Sequence, residues 1–548
     1  MSLLIFQGNL PRVSKSLKSA VAKAVAVTLA GITSLNALAN DPQMHRSNTT
    51  TWPRAVPAEE TDSIPVPAHF KADGANGAKG RLPGSLSRES GAPWWRLFHD
   101  PFLEKLEQEA VAGNQDLHQS IARVLQARAQ ARMAAADFYP AVSAPLGFTR
   151  ERTTNTSPIA SSRIIGPSLF PTAGAGSNQP ASFKGQPLSN TFNGFQAQLA
   201  LSYEADVFGR IRHIYGQARA NWQASEADQR AVELSLTSQV AANYFTLRAL
   251  DSQAAVLRRT LHLRADAVKL QKERLKGGVA GDIDLARAQF EQANTEADLA
   301  DALQQRTELE NALAVLCGQP ASDFRIAESP LDQNPPPPIP AAIPAQLLTQ
   351  RPDLIEAERH LAADSEGVKS AKAQFYPTFN VGANYGYESA ESSQFLKDES
   401  HTWSITGGIS IPLFEGGRNT ARLNAAHAKK GEAFAAYQQT VLTAFNEAEN
   451  ALSALRQRAA QSEARGRAAK SALRVFDIAQ KSYREGAINY FEVIDAQRFL
   501  LNAELSQVQT LNARYGATID LIRAMGGGYE HSNVQPSPQA SLMHSSHN

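Results

Sequence analysis

The sequence has little cysteine and no long apolar run, and each shortage excludes a class of structure. Its 548 residues include one cysteine, which excludes an intramolecular disulfide and a thiolate metal cluster. That residue, Cys317, follows an apolar helix end, so we expect a small buried hydrophobe. No stretch approaches 18 consecutive apolar residues, which excludes a transmembrane helix. If the chain spans a membrane, it must do so through a β-barrel.

An excess of one charge is also missing. Lys and Arg total 54 against 53 for Asp and Glu, a formal net charge of +1, so there is no basic footprint for nucleic acid. The sequence contains no GxSxG, HExxH or Walker motif, and the glycines at residues 277–281 lack the lysine of a phosphate loop. We therefore predict no enzyme, no cofactor, no metal site and no nucleic-acid partner.

The two ends of the chain differ in composition from the rest. Basic residues precede a mildly apolar run at residues 24–32, and Ala37-Leu38-Ala39 follows as a small-x-small cleavage pattern. We predict a secretory signal peptide at residues 1–39, with an amphipathic N-terminal helix as the alternative. Residues 40–92 are rich in Pro, Ser and Gly and predict an extended leader. Residues 530–548 predict a disordered tail.

Between the ends, strand pairs alternate with long helices. Alternating apolar and small or polar residues predict strands at residues 142–148, 195–203, 379–387 and 403–411. We expect each successive pair to form one antiparallel hairpin, and the strand length suits a membrane crossing, which needs about nine to eleven residues. Seven-residue apolar spacing predicts coiled-coil helices on the C-terminal side of each pair. Their predicted bounds are residues 209–276 and 282–316, then 418–484 and 487–525.

The second half of the chain repeats the layout of the first. Phe375-Tyr376-Pro377 matches Phe138-Tyr139-Pro140 ahead of the strands, and a glycine reversal at Gly277-Gly278 or Gly486 separates the long helices. Because four strands cannot close a barrel and lipid forbids open edges, several subunits would have to share one. The predicted boundaries are residues 93–330 for the first repeat, 331–345 for a Pro-rich connector and 346–529 for the second repeat.

Several segments, taken together and in order, resemble the TolC/OprM family of outer-membrane efflux proteins, in its OprM-like, NodT-type branch. The resemblance covers residues 94–529. The segments that carry it are WWRLFHDPFLEKLEQEAVAGNQDL, YEADVFGRIR, LLTQRPDLIEAERHL, AKAQFYPTF, ISIPLFEGGR, SYREGAINYFEVIDAQRFL and AMGGGY.

The resemblance implies a mixed α and β membrane protein that forms a homotrimer. Each subunit would contribute four strands to a transmembrane β-barrel and its long helices to a periplasmic coiled-coil α-barrel. The implied role is a passive exit duct in the outer membrane for drugs and other small molecules. A periplasmic adaptor (membrane fusion) protein and an inner-membrane pump of the RND type would deliver the cargo. The alternatives are a duct for protein secretion and a coiled-coil surface or scaffold protein without a pore.

The resemblance also implies a periplasmic gate, formed by Phe491, Glu492 and Asp495. Asp495 matches the inward aspartate ring of the family, and Phe491 occupies the position of an apolar gate residue. Such rings act by charge and by dewetting, and residues four apart stack on one helix face. Tyr483 matches a tyrosine that ties the hairpins at the tip. Because Ile488 replaces a polar tip residue, we predict Arg484 or Asp282 as the partner of Tyr483.

Overall fold

The computed structural model describes residues 93–152, 191–279, 281–331, 335–337 and 350–528. The predicted signal peptide, leader and tail lie outside the described residues, as do much of the loop after the first predicted strand and most of the connector. The described part of the chain is mostly helical and contains one antiparallel sheet.

Each half of the chain follows the same order of elements. After a short 3-10 helix (Trp94–Phe98), the first half contains α1 (Pro101–Gly113), α2 (Gln115–Ala136), β1 (Ala141–Ser143), β2 (Leu146–Arg152), β3 (Thr191–Ala205), α3 (Arg210–Lys276) and α4 (Asp282–Leu316). The second half contains α5 (Pro352–Ala373), β4 (Thr378–Ser389), β5 (His401–Ser410), α6 (Arg418–Arg484) and α7 (Tyr490–Ala524). The predicted long helices are confirmed to within a few residues.

Corresponding helices in the two halves have equal lengths. Both α2 and α5 contain 22 residues, α3 and α6 contain 67, and α4 and α7 contain 35. Left-handed glycines mark corresponding junctions: φ is 83° at both Gly209 and Gly417, where α3 and α6 begin. Since a side chain makes such a φ costly, glycine lets the chain turn abruptly from strand into helix.

A close backbone approach joins the start of α2 to the end of α4. A Cβ atom on Gly318 would lie 2.0 Å from the carbonyl oxygen of Gly113, so only glycine fits there. Beside it, the Asn114 side-chain amide donates to the Leu316 carbonyl oxygen at 3.0 Å. Arg351 plays the matching part in the second half, donating from Nη1 to the Ala524 carbonyl oxygen at 3.1 Å. These bonds satisfy carbonyl groups that a helix end leaves free.

The strands form one sheet rather than two separate hairpins. β3 pairs with both β1 and β2, β4 pairs with β3, and β5 pairs with β4, all antiparallel. Both predicted antiparallel pairs are confirmed, and the additional pairing of β3 with β4, which was not predicted, joins the two halves. The first predicted strand is divided at Ala144-Pro145, because proline cannot donate a ladder hydrogen bond.

The two faces of this sheet have opposite character. Residues directly opposite each other share a face, and one such row consists of Val142, Leu201, Ala383 and Ile405. The adjacent row, on the other face, consists of Ser143, Ala200, Asn384 and Ser404. The apolar face is open: Trp403 is 66% exposed and Ile405 74% exposed.

The main core lies where α3 packs against α1, α4 and α7. Val240 and Leu247 of the predicted α3 seam are fully buried, and the rings of Phe245 and Tyr515 stack with centroids 4.4 Å apart. The predicted seam of α7 is confirmed, since all five of its residues are buried: Ile494, Leu501, Val508, Tyr515 and Ile522. Cys317 is buried as predicted, which raises the pKa of its thiol to about 12.

No helix in the described ranges combines the length and the apolar character that a membrane crossing requires.

Glu107 carries a buried carboxyl group on α1. We predict from it that the stability of the folded protein depends on pH. Its side chain is 0% exposed and both carboxyl oxygens lack a hydrogen-bond partner among the described residues. Burial raises its pKa from the ordinary 4.5 to about 9. The folded state therefore keeps a proton that the unfolded state loses, and stability falls as pH rises from 4.5 to about 9.

We expect Glu107→Gln to flatten this decline, because the amide does not ionise. The measurement is the thermal midpoint of the purified protein between pH 5 and pH 9. The half-buried Glu109, which pairs with Lys105 at 3.7 Å, provides the control Glu109→Gln. An equal slope in wild type and Glu107→Gln would show that Glu107 is ionised in the fold.

Candidate functional site

The candidate site lies at the reversal between α6 and α7. Gly486 has a φ of 74°, and the Ala487 N–H donates to the Ser482 carbonyl oxygen at 2.9 Å to close the turn. Asn489 caps α7 by accepting from the Glu492 N–H at 3.2 Å. The predicted reversal at Gly486 is confirmed.

A small apolar cluster fixes this tip against α4. Its buried members are Ala288 from α4, Phe476 and Ala479 from α6, and Tyr490, Val493, Ile494 and Ala496 from α7. Ile488 packs on the cluster and is half-buried. The isoleucine at this position therefore contributes apolar contact where the resemblance implies a polar link.

Tyr483 is held by α3, which corrects its predicted partners. The Arg484 and Asp282 side chains are exposed. The Tyr483 hydroxyl accepts instead from Gln271 Nε2 at 2.9 Å and from Arg274 Nη1. The Arg274 guanidinium also lies 5.0 Å from the centre of the tyrosine ring. The reason is reach, since long side chains in the last turns of α3 extend across to the end of α6.

The predicted gate residues occupy the first two turns of α7. Phe491 is 45% exposed, and the Arg287 guanidinium of α4 lies over its ring, 5.2 Å from the centroid. Asp495 is half-buried one turn further on, and Glu492 is exposed. Glu492 lies in the first turn of α7, where a negative charge is stabilised by the helix dipole. Phe491 and Asp495 are four residues apart and so lie close on the helix surface.

Sequence reasoning missed the polar residues that α3 buries near the tip. Leu257, Arg264 and Gln271 follow one another at seven-residue spacing, and all three are buried. The detectable signal was an arginine and a glutamine in heptad phase with a core leucine, since polar residues at such positions specify register. Arg287 was missed because its contact with Phe491 depends on how α4 packs against α7.

The described residues contain no group of three or more His, Cys, Asp or Glu side chains placed to hold a metal ion. What the site does provide is an exposed aromatic ring, two acidic side chains and two arginines near the tips of paired helices. Such a set of groups can alter the width and the charge of a passage.

The model of the outer membrane efflux protein family matches residues 106–319 and 343–527 of this chain. The chain belongs to the outer membrane efflux protein family. The predicted efflux role and outer-membrane location are confirmed at this level. The two matched ranges include every helix and strand from α2 to α7, and with them the candidate site.

Individual relatives agree with this assignment. Outer membrane protein OprJ of Pseudomonas aeruginosa is 30% identical over 483 residues, 87% of this chain and 93% of OprJ. Cation efflux system protein CusC of Escherichia coli is 28% identical over 476 residues, 87% of this chain and 95% of CusC. The solved outer-membrane channel OprN superimposes with a TM-score of 0.72 at 26% identity, covering 85% of this chain and 98% of OprN. The names describe channel and efflux proteins rather than enzymes.

Tyr483→Phe tests the bond between α3 and α6. The change leaves the buried Gln271 amide and the Arg274 guanidinium without their shared acceptor, a cost of about 1–3 kcal/mol. We expect faster amide hydrogen exchange at residues 482–490, because the tip opens locally more often. The control is Tyr437→Phe, which changes a half-buried tyrosine near the start of α6, far from the tip. Unchanged exchange at the tip would contradict the assigned bond.

Proposed function

We propose that this chain is the exit duct of a tripartite drug-efflux system and works as a homotrimer. In this proposal it passively exports small molecules that an inner-membrane pump and a periplasmic adaptor protein deliver. The observation that carries the proposal is the sheet, which exposes a continuous apolar face and turns a polar face to the other side. One face suits lipid and the other suits a water-filled lumen.

The sheet edges support assembly from several copies. In the described chain, β5 pairs only with β4 and the β1 and β2 segments pair only with β3, so each side of the sheet ends in an open edge. In lipid, unpaired backbone groups are too costly to persist. Joining the β5 edge of one copy to the β1/β2 edge of the next would close a barrel with four strands from each of three subunits.

The long helices support the same arrangement. The two hairpins pack on each other chiefly through α3 and α7, with α4 against α3 and α6 against α7, which leaves one face of α4 and one face of α6 uncovered. Both carry exposed apolar side chains, Ile283 and Phe290 on α4 and Leu473 and Ile478 on α6. We propose that α6 of one copy covers α4 of its neighbour and that the helices together form a periplasmic coiled-coil barrel.

The equal helix lengths support two efflux repeats within the chain. The proposed boundaries stay at residues 93–330 and 346–529, joined by the connector at residues 331–345. The first range matched by the family model lies within the first repeat, and the second begins three residues before the second repeat and ends within it. This internal pairing gives each copy two helical hairpins at the periplasmic end, of which the second carries the candidate gate.

We propose that Phe491, Glu492 and Asp495 line the narrowest part of the duct at its periplasmic end. The supporting observations are the exposure of Phe491, its stacking with Arg287 and the position of Asp495 one turn away. Three copies of Asp495 would repel anions and attract cations, and three copies of Phe491 would resist wetting. Tyr483 would hold the second hairpin against the first in the closed state.

The proposed partners are an adaptor docking at the helical tip and an inner-membrane pump, which we expect to be of the RND type. CusC is named for cation efflux, so related ducts serve different cargoes, and selection of cargo would fall to the pump. A duct for protein secretion is the alternative within the channel class. Chromosomal neighbours separate the two, because a drug-resistance pump with an adaptor supports efflux, whereas an ATP-driven exporter supports secretion.

The assembly is tested with protein extracted from outer membranes. We expect a trimer that survives mild heating in detergent, because its strands pair between copies, and discrete conductance steps in planar lipid bilayers. Both measurements use the wild-type chain. An elongated monomer without conductance would refute the duct and would favour a coiled-coil scaffold.

The gate is tested with Phe491→Ala and Asp495→Ala in the same bilayer assay. We expect each to raise conductance several-fold, since the first widens the apolar ring and the second removes the acidic ring. Leu442→Ala is the control, because Leu442 is also an exposed apolar residue, 58% exposed, but lies 42 residues before the end of α6 at Arg484 and so is far from the tip. If both gate variants have the conductance of the wild type, Phe491 and Asp495 do not line the constriction.

A further inference from the structure

Three charged side chains meet between the two helical hairpins, a short distance behind the candidate gate. Arg264 from α3 and Glu291 from α4 are almost completely buried, with side chains 4% and 7% exposed. Arg264 Nη2 lies 2.9 Å from Glu291 Oε2. Arg498 from α7 donates from Nε to Glu291 Oε1 at 2.8 Å, and from Nη2 to the same oxygen. One carboxylate therefore joins three helices.

The cluster is unbalanced in charge, with two guanidinium groups for one carboxylate. Arg264 also donates from Nη1 to the Glu291 carbonyl oxygen at 2.6 Å and to the Thr295 hydroxyl. Its Nε is buried without a hydrogen-bond partner in the described structure. Burial lowers the pKa of Arg264 despite the nearby carboxylate, whereas the bond to Glu291 raises the pKa of Arg498. Glu291 is the group that makes the approach of the two arginines tolerable.

The cluster is linked directly to the gate through α7. Arg498 lies three residues after Asp495, and the charge of Asp495 also helps to raise the pKa of Arg498. Arg498 thus lies between two acids, one on its own helix and one on α4. Because the Arg498 side chain is anchored to α4, α7 has little freedom to rotate about its axis, and Phe491 and Asp495 rotate with it.

We propose that Glu291 is a positioning residue of the periplasmic gate, which holds α7 in the closed orientation by binding Arg498 while neutralising Arg264. This inference rests on the proposed function, since it assigns a residue to the same constriction. Glu291 does not have to line the passage. Its loss leaves the buried Arg264 beside the half-exposed Arg498 with no carboxylate between them, and their repulsion favours separation of the second hairpin from the first.

The test is Glu291→Gln, which keeps the side-chain volume and removes the charge. We expect the trimer to persist, since the sheet and the core near Val240 are untouched, and conductance in planar bilayers to rise several-fold. Amide exchange at residues 487–500 should also become faster. Adding Arg498→Gln to Glu291→Gln removes the repelling cation but does not restore the lost ion pair, so both measurements should return only part of the way toward wild type.

The chain offers a matched control on the same helix. Glu310 is also buried on α4, lies 3.5 Å from the Arg306 guanidinium and accepts from the Ile326 N–H at 2.6 Å. It is 19 residues further from the tip, about 28 Å along the helix. Glu310→Gln should lower the thermal midpoint without changing conductance or exchange at residues 487–500.

The outcomes separate this inference from the proposed function. The role of Glu291 would be overturned if the wild-type protein conducts and Glu291→Gln shows the same conductance and the same amide exchange at residues 487–500. Equal effects of Glu310→Gln and Glu291→Gln would overturn it too, by showing general loosening. If neither the wild type nor any variant conducts, the duct proposal fails. Amide exchange at residues 487–500 then still decides whether Glu291 holds α7 in place.

Discussion

Packing of α3 against its neighbours is the interaction on which the rest of the structure depends. This helix contacts α2 and α5 near the sheet, α1 and α4 within the first half, and α7 from the second half. Its buried aliphatic seam and the stack of Phe245 on Tyr515 unite the two halves in one core. Because the halves share this core, the two hairpin tips are held side by side, and the side chains of both can form one site.

The same helix changes character along its length. Near the core its buried positions are aliphatic, as at Val240 and Leu247, but toward the tip they include Arg264 and Gln271. Aliphatic packing is insensitive to small rotations, whereas hydrogen bonds and ion pairs require defined geometry. The polar contacts near the tip therefore fix the orientation of α6 and α7. They can also separate without exposing a large apolar surface, which is consistent with the gate proposed for this tip.

The sheet is joined by backbone hydrogen bonds rather than by side-chain packing. Its β3 and β4 strands join the two halves by backbone hydrogen bonds, while both outer edges stay open and one face stays apolar. A single copy in water would expose that face and those edges, a recognised aggregation hazard. In the proposed assembly, membrane insertion with further copies would remove both problems at once. The open edges and the apolar face are the features on which that proposal rests.

The sequence by itself determined the elements and their order. Heptad spacing, strand alternation and glycine reversals are local signals, and they located α3, α4, α6 and α7 to within a few residues. The candidate gate at residues 491–495 came instead from the resemblance to the TolC/OprM family. Only the tertiary structure decided that β3 pairs with β4, that Tyr483 is held by Gln271 and Arg274, and that Glu291 joins Arg264 to Arg498. The physical reason is distance along the chain. Periodicity records which face of an element is buried, but contacts between residues some two hundred positions apart depend on how the helices pack, and that information is not present in any local pattern.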